Sequence, residues 1–151
     1  VFLQRQYDEF IDLNSRNLAG TGIKYRIFEF TSEGDSAKTL DINISTGLMY
    51  ETEEYALDNG TVNKYLWRST NFISVDWLIK KKLNLTGVFY FQPAFENLSN
   101  FRIASEFGFE VAIAKSLHFV TAITWRYNNL PITDVKRYDF SIQNGLRIEI
   151  R

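Results

Sequence analysis

The sequence predicts an all-β protein: an antiparallel up-and-down transmembrane β-barrel, with about eight strands in this chain. Three observations lead there. Segment after segment alternates apolar and polar residues at a period of two, over about ten to fifteen residues at a time. Long and short connections alternate between the segments, as they do in outer-membrane barrels. Aromatic residues make up 16% of the chain, and many fall within a few residues of a connection, where amphipathic rings meet lipid headgroups.

The elements follow in order. After "VFLQRQY" comes a segment at about 16–30, in which Ala19, Thr21, Ile23, Tyr25 and Ile27 oppose Gly20, Gly22, Lys24 and Arg26. Over 38–51, Leu40, Ile42, Ile44, Thr46, Leu48 and Tyr50 oppose Asp41, Asn43, Ser45, Gly47, Met49 and Glu51. The segment 63–79 sets Tyr65, Trp67, Ile73, Val75 and Trp77 against Arg68, Thr70, Ser74 and Asp76, with more noise. Over 82–92, Leu83, Leu85, Phe89 and Phe91 oppose Asn84, Thr86, Tyr90 and Gln92. Over 101–113 an apolar wall of Phe101, Ile103, Phe107, Phe109, Val111 and Ile113 backs onto Arg102, Glu106 and Glu110. The last two segments, 117–127 and 137–150, repeat the scheme with Phe119, Ile123 and Trp125, then Phe140, Ile142 and Ile148, on the apolar side. No segment shows a helical period.

The connections at 128–136 and 93–100 are long, and those at 114–116 and 79–82 are short. The next, 52–61, "TEEYALDNGT", is expected to be a solvated outer loop, followed by 31–37 and 8–15. This pattern places the C-terminus on the short-turn, periplasmic side of an outer membrane. A strand tilted about 40° climbs roughly 2.5 Å per residue along a barrel axis, so an apolar band of about 25 Å needs about ten residues. The segments meet that requirement, whereas strands of soluble proteins usually run to about five or six.

Composition excludes other classes. A chain of 151 residues makes one domain, and no apolar run approaches the roughly 18 to 20 residues of a membrane helix. A net charge of -1 offers no basic surface to nucleic acid, and Lys80, Lys81 and Lys82 form only a turn-sized cluster. The absence of cysteine removes disulfides and thiolate metal sites. The chain opens without an initiator methionine, as a processed or truncated chain does.

The apolar face is assigned to lipid and the charged face to the interior. Ile42, Ile44, Phe107, Phe109, Phe119, Ile123, Phe140 and Ile142 are the expected lipid-facing residues, and Tyr50, Trp77, Phe91, Phe101, Trp125, Tyr127 and Tyr138 the interface aromatics. A lumen network is expected from Lys24, Arg26, Asp41, Arg68, Asp76, Arg102, Glu106, Glu110, Arg126, Asp139, Arg147 and Glu149, whose opposite charges balance. The alternative is a soluble lipocalin-like carrier of a small apolar ligand, in which the apolar face points inward. A narrow pore is a third reading.

Candidate chemistry is sparse. His118, the only histidine, has no nucleophile at a diagnostic spacing and is expected to be a hydrogen-bonded lumen residue near a periplasmic turn. Glu106 and Glu110 could hold a divalent ion with Asp139, but carboxylates so placed answer Arg102, Arg126 and Arg147. Neither catalysis, nor a cofactor, nor a metal is expected. Gly20, Gly22, Gly47, Gly108 and Gly145 share the interior face, where they relieve crowding and permit bending.

The terminal "QNGLRIEIR" has the form of the strand that barrel assembly machinery reads as an added edge, with Gln143, Gly145, Ile148 and Ile150 in place. Its usual final aromatic is missing, so either Ile150 substitutes for it or residues are lost after Arg151. The stretches "YDEFIDLNSRNLAGTGIKYR", "FYFQPAFENLSNFRIASEFGFEVAIAKSLHF" and "WRYNNLPITDVKRYDFSIQNGL" together make the chain resemble the salt-induced outer-membrane protein family, a domain of unknown function. Pro93, Phe101, Arg102, Glu106, Pro131, Tyr138 and Asp139 carry the match. The resemblance implies an integral outer-membrane barrel in a Gram-negative bacterium and supplies no activity. It also implies further strands before Val1, so that this chain is the C-terminal part of a larger barrel. The expected role is structural, in envelope maintenance, or in binding a partner as a subunit of an envelope complex. Expected partners are outer-membrane lipid and lipopolysaccharide, the barrel assembly machinery through the C-terminal strand, and other envelope proteins.

Overall fold

The computed structural model describes residues 1–8, 13–32, 38–57, 59–80, 82–132 and 136–149. Eight strands in chain order form one antiparallel sheet: β1 Phe2–Asp8, β2 Leu13–Ser32, β3 Lys38–Leu57, β4 Gly60–Ile79, β5 Leu83–Pro93, β6 Phe101–Ala114, β7 Leu117–Asn128 and β8 Tyr138–Ile148. Each strand pairs with the next, and the sheet is strongly curled but open, a half-barrel. β1 covers only one end of β2, from Phe2 opposite Gly20 to Asp8 opposite Leu13. Among the described residues the free edges are therefore β1, together with the stretch Thr21–Ser32 of β2 that extends beyond it, and β8.

The long connections, 94–100 and 129–137, lie at one end of the sheet, and the short ones, 80–82 and 115–116, lie at the other. One expectation is corrected at the long-connection end. The expected solvated loop at 52–61 is strand: β3 continues to Leu57 and β4 begins at Gly60, whose φ of 121° makes the turn. The acidic run misleads because both faces of the sheet are polar here. Thr52 and Glu54 point one way, while Glu51, Glu53 and Tyr55 point the other way and are buried. Consequently β2, β3 and β4 each run for 20 residues, longer than the alternation alone shows.

Local irregularities place the apolar wall. A register shift between Arg26 and Phe28 hands the wall from Tyr25, opposite Ile44, to Phe28 and Phe30, opposite Ile42 and Leu40. The simple alternation expected Ile27 on that face. By contrast, β3 and β4 pair without a shift from Lys38–Ile79 to Leu57–Gly60, so the noisy 63–79 segment holds a clean register.

Curl requires strands to close together on the inner side, and Gly22 faces Gly47 where β2 and β3 pinch. A Cβ on Gly47 would stand 2.3 Å from the Thr21 carbonyl oxygen and 2.8 Å from Gly22 Cα, against backbone that cannot swing aside. Gly47→Val is therefore expected to cost about 1–3 kcal/mol. A lowered urea midpoint for unfolding of the purified protein checks it, and an unchanged midpoint would show that the pinch is dispensable.

The interior is unusual in kind. Only Leu13, Leu18, Met49, Tyr55 and Ala94 are buried hydrophobic residues among those described, whereas Asn43, Glu51, Glu53, Arg68, Thr70 and Ser105 are buried and polar or charged. No described helix is long and apolar enough to cross a membrane, a fact that bears on helices and not on strands. Phe107, Phe140 and Ile142 are instead about half exposed, at 51%, 56% and 53%.

Candidate functional site

The strands converge on a buried cluster of arginine and glutamate at the long-connection end. Alternation puts Arg16 on β2, Glu51 and Glu53 on β3, Arg68 on β4 and Arg102 on β6 on the same face. Glu51 is fully buried and takes all three guanidinium groups: Arg16 Nε at 2.5 Å and Arg102 Nη1 on Oε1, with Arg68 Nε on Oε2. Glu53 accepts from Arg102 Nη2 at 2.6 Å and lies 3.5 Å from Arg16 Nε.

A strand-to-strand spacing of about 4.8 Å separates β3 from β6 by roughly 14 Å along the sheet. Arg102 nevertheless reaches both Glu51 and Glu53, so the charged face is the concave one and this contact is a chord across the curl. Arg68, 1% exposed, ties in the neighbouring connection. Its Nη1 donates to the carbonyls of Gln92 and Asn100 at 3.2 and 3.0 Å, and its Nη2 to Asn100 Oδ1 at 3.1 Å. Arg16 Nη1 reaches Gln6 Oε1 on β1 at 3.3 Å. The cluster thus joins β1 through β6. Every described buried side-chain nitrogen and oxygen has a partner, as charges in a low-dielectric interior require.

Of the expected lumen residues, Arg68 and Arg102 belong to this cluster, but their partners Glu51 and Glu53, and Arg16, lay outside the expected set. Their signal was parity: Glu51 already stood on the polar face of the 38–51 alternation, Arg16 shares the parity of Lys24 and Arg26 at the start of the 16–30 segment, and extending the pattern past residue 51 adds Glu53. Arg26 pairs with Asp41 at 3.0 Å and with Glu29 at 2.7 Å. Near the short-turn end Glu110 receives Arg147 Nη2 and lies 3.0 Å from His118 Nδ1. Lys24, Asp76, Glu106, Arg126, Asp139 and Glu149 make no ion pair among the described residues. Lys24 faces Ser45, Asp76 faces Asp41, Glu106 lies between Val88 and Thr124, and Arg126 lies between Ala104 and Asp139. Glu149 follows β8, with its amide on the Ser116 carbonyl at 2.9 Å. No group of three metal-ligating side chains occurs among the described residues.

The convex face carries the apolar wall. Ile44 stands between Tyr25 and Ile73, Ile42 opposite Val75, and Phe107 in a row with Ile123 and Ile142. Phe109 lies opposite Leu85, Phe119 opposite Val111, and Phe140 opposite Trp125. Aromatic rings line its long-connection end from β3 to β8. Tyr50 and Trp67 lie 5.0 Å apart between ring centres, Phe91 and Phe101 5.7 Å, Phe101 and Tyr127 5.9 Å, and Trp125 and Tyr127 6.4 Å, with Tyr138 paired to Tyr127. Trp77 stands at the short-turn end, between Leu40 and Leu85. Trp67 belongs to the row by the same parity, though it was not among the expected interface aromatics. In β8, Gln143, Gly145 and Ile148 pair with Ala122, Val120 and Leu117, while Ile150 lies outside the described residues.

Residues 1–149 match the family described as "Protein of unknown function, DUF481". No curated protein and no solved structure matches the chain.

Proposed function

Since the chain belongs to the DUF481 family, whose description leaves its role open, we propose from the geometry that it is an integral outer-membrane β-barrel protein. In this reading it serves a structural, envelope-maintenance or partner-binding role and has no catalytic activity, in keeping with its resemblance to salt-induced outer-membrane proteins. The observation that carries the reading is the segregation of the two faces. Glu51 and Arg68 are withdrawn from solvent on the concave side, while Phe107, Phe140 and Ile142 stand about half exposed on the convex side beneath a row of rings. A protein in water gains by the reverse arrangement, and a protein in hydrocarbon gains by this one.

The membrane reading makes a demand of its own. Open sheet edges are not tolerated in hydrocarbon, so β8, β1 and the free stretch of β2 have to be paired there, by each other or by another strand. β8, with Gln143, Gly145 and Ile148 in register, is the edge offered to the barrel assembly machinery, and the C-terminus then lies in the periplasm. Lipid and lipopolysaccharide solvate the wall, and other envelope proteins meet the remaining surface. A soluble carrier would need an apolar chamber, and its concave face would have to exchange charges for rings. A pore would need a path past the arginine–glutamate cluster, which spans the concave face at one end.

Extraction tests the proposal. The protein is expected to need detergent for recovery from the membrane fraction and to migrate differently on gels before and after boiling. A monodisperse protein recovered without detergent would refute it.

A further inference from the structure

Among the described residues the buried cluster carries more positive than negative charge. Three guanidinium groups, on Arg16, Arg68 and Arg102, surround two carboxylates, on Glu51 and Glu53. Lys64 sits directly across β3–β4 from Glu53 on the same face, half-buried, and adds a further cation. A net charge held away from water is strongly disfavoured unless something neutralises it.

The donors show where the neutralising group would sit. All three nitrogens of Arg68 are engaged by protein acceptors. Arg16 engages Nε and Nη1, and Arg102 engages Nη1 and Nη2, which leaves Arg16 Nη2 and Arg102 Nε without acceptors among the described residues. No described buried side-chain nitrogen lacks a partner, which leaves these two nitrogens on the part of each side chain that is not fully withdrawn from solvent. Their side chains, 15% and 14% exposed, are the part of the cluster still accessible.

We propose that this accessible edge is an oxyanion site, taking a phosphate-type group on Arg16 Nη2 and Arg102 Nε, outside the Glu51 and Glu53 carboxylates, with Lys64 on the same face. Guanidinium N–H donors form strong charge-assisted bonds to phosphate oxygens, and one nitrogen from each arginine can serve a different oxygen of the same phosphorus. The group is either free phosphate or the phosphate of a lipid headgroup. The site does not depend on the membrane reading, because its elements are the charge count and the two guanidinium nitrogens that have no acceptor among the described residues. Asp8, Glu9 and Asp12, whose side chains lie outside the described set, are the rival source of negative charge.

The test is calorimetric titration of the full chain, in detergent at constant ionic strength, with inorganic phosphate in one arm and short-chain dihexanoyl phosphatidate in the other. Saturable one-to-one binding is expected in at least one arm, and the arm that binds identifies the source. Glu53→Gln removes a competing carboxylate and is expected to tighten binding by about fivefold, while Lys64→Gln weakens it by about threefold. A merely structural cluster would not gain affinity on losing a carboxylate. Should Glu53→Gln fail to fold, Lys64→Gln still decides, since Lys64 holds no ion pair in the cluster. Absence of saturable binding in both arms overturns the proposal. So does binding that the folded variants leave unchanged, and so does binding that appears only after Asp8, Glu9 and Asp12 are neutralised together.

Discussion

Glu51→Ala is expected to destabilise the protein by about 3–5 kcal/mol. Glu51 is the one carboxylate that takes Arg16, Arg68 and Arg102 together, and its removal leaves three guanidinium groups crowded around Glu53 alone. The cost combines repulsion among the arginines with unpaired burial of Arg68, which is 1% exposed. Urea unfolding followed by tryptophan fluorescence measures it. Arg102→Met makes an informative companion, because it cuts the chord from β6 to β3 while leaving Arg16 and Arg68 on Glu51. It should cost less than Glu51→Ala, and a larger cost would place the centre of the cluster elsewhere.

Ile44→Arg is expected to cost about 2–4 kcal/mol when the protein is folded into a bilayer. Ile44 lies near mid-height of the convex wall, between Leu40, opposite Trp77, and Tyr50, opposite Trp67. It is 43% exposed, so a protein in water would accept arginine there within about 0.5 kcal/mol. Tyr50→Arg, at the level of the ring row, should cost only about 0–1 kcal/mol, because depth sets the penalty. Folding titrations of the three proteins in the same lipid vesicles compare them. Equal costs for Ile44→Arg and Tyr50→Arg would remove the case for a depth-graded apolar surroundings.

Much of this fold was legible from alternation alone. Strands β5 to β8 keep a continuous apolar face, although Val88 and Val120 share the other face with Glu106 and Glu110, and a period-two reading of Phe101 to Ile113 already separates Phe107 and Phe109 from Glu106 and Glu110. The pattern failed where both faces turn polar. At Glu51 to Tyr55 no apolar residue marks the outward side, so strand and solvated loop look the same in sequence. Parity assigns those glutamates to the charged face once the strand is extended, and the long-range arrival of Arg68 and Arg102 supplies the partners that bury them there. The ion pairs were legible only in part for a related reason. Alternation assigns each charge to a face, whereas the curl decides which charges meet, and Arg102 meets Glu51 across two intervening strands rather than pairing with Glu106 or Glu110 on its own strand. The shift between Arg26 and Phe28 was invisible because Ile27 and Phe28 are both apolar.

All three tryptophans, Trp67, Trp77 and Trp125, sit on the convex face, with the first and third in the ring row at one end and Trp77 toward the other. Fluorescence of the protein reconstituted in vesicles, quenched by lipids brominated at different depths along their acyl chains, therefore tests most directly whether that face meets hydrocarbon. Strong quenching is predicted, greatest for bromines near the headgroups and weaker for those at the bilayer centre, with little effect of aqueous iodide. Efficient quenching by iodide, and none by brominated lipid, would contradict the assignment of the apolar wall to the membrane.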